Sequence, residues 1–379
     1  MVFLLSGAAR TTERTFLAHD AYVLPRILAP REHRTPEQAK AMIEQMTPEQ
    51  KQQMQRMQEQ MVDLKHLCDA LKPPPLDPDA EVSLLKVVRA LASAPILSKL
   101  PTEESERTAA EAALAECDDD LLAKLEAAFV EAKAFDEDAL EECEAVERRN
   151  VLLLYWHMHQ SNMPELQATM PGGVDAMRGY VNSLATKLLI KAQMLMPQQR
   201  WVQATLAIAH ASALISTALW SHTDEAALTK MRSILQEDQL PYPKLSIEAT
   251  AGPRQGEGDE CAAGQQVLVS VRVTREHAKK PEEGETPVPN NPQGIFEAYW
   301  LYIEGVKPQG TANSLICAQP MVVKDLEQAV LTAEAPFTAP PNPGKYTLRV
   351  HVTSTSVIGI DLETDTSFTV IEDDVPALE

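Results

Sequence analysis

The stretch Val267-Leu268-Val269-Ser270-Val271-Arg272-Val273 has a valine at every second position. Successive side chains of a β-strand point to opposite faces, so this spacing puts all four valines on one face. The other face carries Ser270 and Arg272, which favour solvent. The stretch therefore predicts a strand of a sheet that covers a core on one side only.

Strand signals continue on both sides of this stretch, from Pro243 to the end of the chain. Leu245, Ile247 and Ala249 alternate with polar residues before it. Apolar, β-branched and aromatic segments follow it, at 299–303, 315–323, 329–335, 346–353 and 367–371. About seven short strands separated by turn residues are typical of an immunoglobulin-like sandwich. We predict such a sandwich over residues 244–373, followed by a short tail at 374–379.

Two aromatic residues agree with this fold class. Pro343-Gly344-Lys345-Tyr346 places a tyrosine at the start of the penultimate strand, where such sandwiches have their tyrosine corner. Trp300 lies on the third predicted strand, where immunoglobulin domains bury a tryptophan. Trp300 and Tyr302 could instead stack a ligand, but we expect Trp300 to face the core.

Before Pro241 the sequence has helical signals instead. Thr47-Pro48-Glu49-Gln50 is typical of an N-cap followed by a first turn, as is Thr35-Pro36-Glu37-Gln38. Pro73-Pro74-Pro75 ends the helix that follows. Val82 to Leu100 is a further helix candidate, and residues 198–221 are apolar on nearly all sides, which is typical of a buried helix.

These signals predict an α+β protein with several domains. A segment at 1–34 packs on the helical core, and an acidic helical insertion rich in Gln, Met and Ala covers 35–144. A helical domain covers 145–243, and the sandwich follows it.

The charge of the chain limits the partners it can have. The formal net charge is −21, and 17 acidic but only 5 basic residues lie between Thr102 and Asn150. Binding to nucleic acid depends on basic groups, so we expect no nucleic-acid partner. A basic protein segment is a better electrostatic match. Five scattered cysteines without a C-x-x-C pair favour free thiols in a reducing compartment.

Motifs for catalysis or metal binding are missing from the sequence. It contains no G-x-S-x-G, P-loop or H-E-x-x-H, and we expect neither an enzyme nor a cofactor. His157 and His159 are two residues apart, whereas a metal-binding pair on a helix is four apart. The acidic run at Asp118-Asp119-Asp120 lacks the glycine and the spacing of a calcium loop, so we interpret it as a solvated helix face.

Several segments resemble the Sec-sixty-three homology region, which ends in a fibronectin type III-like sandwich. The resemblance is good over residues 145–372 and loose over 1–30. Thr35 to about Leu140 has no counterpart, which is why it is interpreted as an insertion. The segments that carry the resemblance are 148–154, 163–165, 298–304, 315–327, 335–337, 343–346 and 359–361. Within them, seven signature residues are Trp300, Tyr302, Pro343, Gly344, Tyr346, Gly359 and Asp361.

The resemblance implies a function in protein transport. In that family the region is the cytosolic part of the J-domain subunit of the endoplasmic reticulum translocon. Its sandwich docks on basic cytosolic loops of the Sec protein-conducting channel and supports post-translational translocation. Membrane contact would then come only from spans upstream of Met1. The His-Pro-Asp motif of a J-domain is absent, so the resemblance does not imply stimulation of an Hsp70.

Charge complementarity with the channel motivates three candidate partner-binding residues. They are Glu257, Asp259 and Glu260, in the loop between the first two predicted strands. Two other functions stay open at this point. Similar regions occur in large RNA helicases, which favours a helicase-associated interaction module, although ATPase motifs are missing here. The second open function is that of a generic adaptor, in which segment 35–147 binds a partner helix.

Overall fold

A computed structural model of the protein describes residues 47–100, 104–237, 241–256, 258–278, 297–308 and 311–372. Helices occupy the described part before Pro241, and strands occupy the part after Pro243. The predicted change from helices to strands at these prolines is therefore confirmed. The predicted helix start at Thr35 and the segment 1–34 lie outside the described residues.

The helices begin and end largely where the sequence has caps and prolines. Thr47 caps the first helix through a capping box with Gln50, as predicted, and the helix ends at Leu71 before the three prolines. The candidate helix at 82–100 is two helices, because Pro95 starts a new one. The helices are α1 Pro48–Leu71, α2 Leu84–Ala92, α3 Pro95–Ser98, α4 Glu104–Glu116, α5 Asp119–Glu131, α6 Ala145–His159, α7 Pro164–Thr169, α8 Gly172–Leu195, α9 Val202–Thr217 and α10 Glu225–Glu237.

The described residues form two compact units. The first contains the described chain up to Lys72 together with Ser83–Leu195. Its core is built around α6, which is buried on nearly all sides from Asn150 to Trp156. Helix α8 packs on α4 and α6. Phe129, Phe135 and Tyr155 form an aromatic cluster there, with ring centroids 5.0–6.1 Å apart.

The second unit contains Pro73–Val82 and the described chain from Met196 onwards. It includes α9, α10 and all the strands described. The strands are β1 Leu245–Pro253, β2 Glu260–Ala262, β3 Gln266–Arg275, β4 Glu297–Val306, β5 Ser314–Val323, β6 Val330–Thr338, β7 Gly344–Ser354 and β8 Leu362–Ile371. One sheet has the order β1-β3-β6 and the other the order β2-β8-β7-β4-β5.

Both sheets contribute to one buried core. The four valines of β3 are at most 2% exposed and pack with Tyr299, Leu301 and Ile303 of β4. The predicted alternation of β3 is therefore confirmed. The outer strands β5 and β6 carry Pro320 and Pro336, and a proline on an edge strand discourages pairing with another chain.

Trp300 and Tyr302 are buried differently from the expectation. Because the core of both sheets takes the side chains of Tyr299, Leu301 and Ile303, the alternate residues Trp300 and Tyr302 point to the opposite face of β4. Trp300 is 6% and Tyr302 0% exposed. Helix α9 packs on the neighbouring strand β7, which explains how residues of this outer face become buried.

None of the described helices is long and apolar enough to span a bilayer.

Candidate partner-binding site

The three candidate residues lie within residues 254–260, which comprise the connection from β1 to β2 and the first residue of β2 and are called the acidic loop below. Glu257 lies outside the described residues. Asp259 comes directly before β2, and Glu260 is the first residue of that strand. Both are exposed, so the structure places these two predicted residues side by side at the surface.

Backbone hydrogen bonds hold the acidic loop at both ends. The Arg254 amide donates to the Gln266 carbonyl on β3 at 2.8 Å, and the Thr369 amide of β8 donates to the Asp259 carbonyl at 2.8 Å. Cys261 follows with its side chain in the core, at 2% exposure. Because β2 pairs in parallel with β8, the backbone under Asp259 and Glu260 is fixed while their carboxylates face solvent.

Glycines allow the acidic loop to fold back on β1. A Cβ atom on Gly252 would lie 2.3 Å from the Gly258 carbonyl oxygen, so this close approach of two backbones requires glycine. Gly258 has a φ of 92°, a conformation that other residues rarely adopt. Gly252 and Gly258 are thus required by this turn.

The carboxylates of Asp259 and Glu260 make no salt bridge within the described part of the chain. Exposed carboxylates without a local cation keep their charge available for a lysine or arginine of another molecule. The arrangement can therefore bind basic groups.

The signature residues at the end of the chain have structural contacts. The Tyr346 hydroxyl donates to the Asn342 carbonyl at 2.7 Å, four residues upstream, as the hydroxyl of a tyrosine corner does. Gly344 has a φ of 149°. Gly359 has a φ of 75° and packs against Leu228 and Tyr242. The hydrogen bond of Tyr346, the positive φ angles of Gly344 and Gly359 and the close packing of Gly359 explain these three residue types.

Comparison with models of known protein families identifies the family of this chain. Residues 82–367 match the family described as the Sec63 Brl domain. The chain belongs to this family. The Brl match contains all seven signature residues and the acidic loop, and it begins at Val82, within the stretch 35–144 that the sequence predicts to be an insertion.

Other comparisons add nothing to the Brl assignment. No protein with a curated description matches the chain. Among solved structures, a β-glucosidase of Erythrobacter marinus is 13% identical, with 35% of this chain and 16% of that chain covered and a TM-score of 0.22. A β-glucosidase of Listeria innocua is 14% identical, with 34% and 17% covered and a TM-score of 0.19. An alkylpurine DNA glycosylase, AlkC of Pseudomonas fluorescens, is 11% identical, with 83% and 97% covered and a TM-score of 0.20.

The outer face of the five-stranded sheet carries a row of polar contacts that the sequence did not predict. His351 Nε2 lies 2.9 Å from Glu304 Oε2, and its Nδ1 lies 3.3 Å from Glu363 Oε2. Arg349 pairs with Glu363 and Asp365. Glu304 is only 2% exposed. The sequence did contain one indication of these contacts, because Glu304 directly follows five apolar residues of the strand. A glutamate that is buried at such a position is expected to be paired with another polar or charged group.

His210 and Asp361 form a second contact that the sequence did not predict. His210 Nε2 on α9 lies 3.3 Å from Asp361 Oδ2, just before β8. The His210 ring also stacks on His222, with centroids 4.5 Å apart and an angle of 18°. Asp361 is a signature residue, and this contact gives it a role inside the second unit.

His159, one of the two histidines of the 157/159 pair, lies in the aromatic cluster of the first unit. Its ring stacks on Tyr155 with centroids 6.0 Å apart, and it is 5% exposed. Burial lowers its pKa to about 4. His159 is therefore a neutral core residue at neutral pH.

Proposed function

We propose that this Brl-domain chain is a non-catalytic binding module of an endoplasmic reticulum translocon subunit. In this proposal it acts at the cytosolic face of the membrane and docks on cytosolic loops of the Sec protein-conducting channel. The observation that carries the proposal is the acidic loop, in which Asp259 and Glu260 are exposed, fixed by their backbone and unpaired with described residues.

The β-rich half suits a rigid docking platform. We infer a fibronectin type III-like sandwich, because two sheets share one core and the Tyr346 hydroxyl bonds back to Asn342. Loops held at the end of such a sandwich keep their side chains in place before a partner arrives. Less conformational entropy is then lost on binding.

The charge of the chain supports the same partner. The channel loops are basic according to the family resemblance, and the chain has a net charge of −21. Opposite charges steer the two surfaces together and raise the association rate, more so at low salt. Docking should therefore weaken as the ionic strength rises.

Reversal of the charge in the acidic loop tests the proposal. The variant Glu257→Lys/Asp259→Lys/Glu260→Lys and the wild type would be titrated against liposomes with and without the purified channel, at physiological salt. We expect the variant to lose at least about tenfold in affinity, which corresponds to about 1.4 kcal/mol.

A matched control has the same change in net charge at other sites of the second unit. Glu248→Lys/Glu327→Lys/Glu334→Lys alters three exposed residues of β1, the turn before β6, and β6. This control should bind within about twofold of the wild type. Equal affinity of the acidic-loop variant and the wild type would remove the loop from the interface. Binding of a DExH helicase with no affinity for the channel would overturn the function itself.

A further inference from the structure

Three titratable side chains of the second unit meet where α9 approaches the loop between β7 and β8. His210 lies on α9, His222 lies on the connection from α9 to α10, and Asp361 closes the β7–β8 loop. The two imidazole rings are nearly parallel, at 18°, with centroids 4.5 Å apart. His210 Nε2 lies 3.3 Å from Asp361 Oδ2. The contact thus joins three segments that are distant in sequence.

The β7–β8 loop is packed against neighbouring segments in addition to the contact of Asp361 with His210. Ile358 is 1% and Ile360 6% exposed. The Tyr242 hydroxyl donates to the Ile358 carbonyl at 2.8 Å. Gly359 approaches Leu228 of α10 so closely that a Cβ atom would lie 2.3 Å from its Cδ2. A change at His210, His222 or Asp361 therefore acts on a loop that covers part of the core.

The charged groups around His222 come from each neighbouring segment. Burial lowers the pKa of His222, and the nearby His210 lowers it further, whereas Asp361 and Glu81 act in the opposite direction. Glu81 belongs to the segment Pro73–Val82 of the same unit. One close carboxylate, that of Asp361, thus faces two stacked imidazoles.

We propose that His210, His222 and Asp361 form an acid-sensitive latch that fastens the β7–β8 loop to α9. Above neutral pH, His222 is uncharged and stacks on His210, which contacts Asp361. When His222 takes up a proton in acid, a positive ring lies in a partly buried position against the stacked His210 ring, where both burial and this neighbour disfavour its charge. The latch then opens and the loop detaches from α9.

The direction of the pH dependence follows because the closed latch favours the neutral form of His222. An opened loop returns His222 to water, where a histidine takes up protons from about pH 6.5 downwards. The open state therefore binds more protons than the closed state below that pH, and acid favours opening. Above about pH 6.5 both states are neutral at His222 and the latch has its full strength.

Hydrogen exchange of the full chain measures the latch. Amides of residues 354–361 would be followed at pH 7.5 and at about pH 5.5, one unit below the ordinary histidine pKa, with correction for intrinsic rates. We expect severalfold more opening at the lower pH in the wild type. His222→Gln cannot be charged, so its opening should be the same at both pH values. His66→Gln, which alters a part-buried histidine bonded to Ser93 in the first unit, is the matched control and should keep the wild-type response.

Two further measurements keep the test decisive. Asp361→Asn removes the carboxylate and should increase opening of residues 354–361 at pH 7.5. An NMR titration of the wild-type imidazoles should give His222 a midpoint below that of an exposed histidine, whether or not the variants fold. The proposal is overturned if wild-type opening does not change with pH, or if His222→Gln responds to acid as the wild type does.

Discussion

Arg275 and Glu297 form a two-point ion pair at the ends of β3 and β4. Nη2 lies 2.6 Å from Oε1 and Nε lies 2.9 Å from Oε2. The Arg275 side chain is 1% exposed, and its Nη1 also donates to the Gln328 carbonyl at 2.5 Å. Glu297 accepts a further bond from the Tyr299 hydroxyl at 2.5 Å, and His277 Nε2 lies 2.9 Å from it. Together these contacts fix the turn before β6 to the starts and ends of the core strands.

Glu297→Gln should strongly destabilise the second unit. The substitution keeps the shape of the side chain but leaves the buried guanidinium of Arg275 without a counter-charge. Loss of one partner of a buried pair costs about 3–5 kcal/mol. The free energy of unfolding from urea titration, with hydrogen exchange to follow β3 and β4, measures the change. Glu276→Gln alters the exposed neighbour and should stay within about 0.5 kcal/mol of the wild type. If Glu297→Gln lowered the free energy of unfolding by no more than the control does, the Arg275–Glu297 pair would not be needed for stability.

The same glutamate should make the second unit sensitive to strong acid. Burial alone would raise the pKa of Glu297, but bonds from His277, Arg275 and Tyr299 outweigh burial and lower it from 4.5 to about 2. The unfolded chain therefore binds more protons between these values, and this stabilisation is complete above pH 4.5 and disappears as the pH falls through about 2. The stability difference between the wild type and Glu297→Gln should accordingly narrow over that range. A difference that stays constant down to pH 2 would contradict the lowered pKa.

Gly359→Ala should destabilise the protein, whereas Gly179→Ala should stabilise it. A Cβ atom at Gly359 would lie 2.3 Å from Leu228 Cδ2 and 2.8 Å from the Tyr242 hydroxyl, and the φ of 75° disfavours alanine. We expect a loss of about 2 kcal/mol. Gly179 lies inside α8 with nothing within 4 Å of a new Cβ atom, so alanine there should add about 0.5–1 kcal/mol. Thermal unfolding of both variants checks the opposite signs, and a stable Gly359→Ala protein would argue against close packing of this loop.

The parts of the fold that the sequence predicted are those with strong local patterns. Alternating valines define one face of β3 on their own, and Thr47 with Gln50 defines the start of α1. By contrast, β2 has three residues and pairs with β8 from the far end of the domain, so no local period reveals it. In β4 the run from Tyr299 to Ile303 is apolar at every position, so the sequence does not say which face Trp300 joins.

The sequence predicted that the candidate residues lie in a surface loop, but it did not predict how that loop is attached to the rest of the fold. A glycine-flanked acidic turn between two strands places Asp259 and Glu260 at the surface from sequence alone. Its attachment to β8 depends on a bond from the Thr369 amide, more than a hundred residues later in the chain. The same limit hides the contact of His210 with Asp361, because tertiary packing alone brings α9 and β8 together.

Asn150 supports the most specific prediction for the helical unit. It is 0% exposed, and its Nδ2 donates to the Ala92 carbonyl at 3.0 Å and the Leu97 carbonyl at 3.2 Å, which ties α2 and α3 to α6. Asn150→Ala leaves two buried carbonyls without a donor and should cost about 1–3 kcal/mol. Asn150→Asp should cost more, because a carboxylate would replace the donor and face the same two oxygens. Urea unfolding followed by exchange of α2 and α6 measures both, with Ser161→Ala at an exposed site as control. Equal stability of the aspartate and alanine variants would mean that the carbonyls have found another donor.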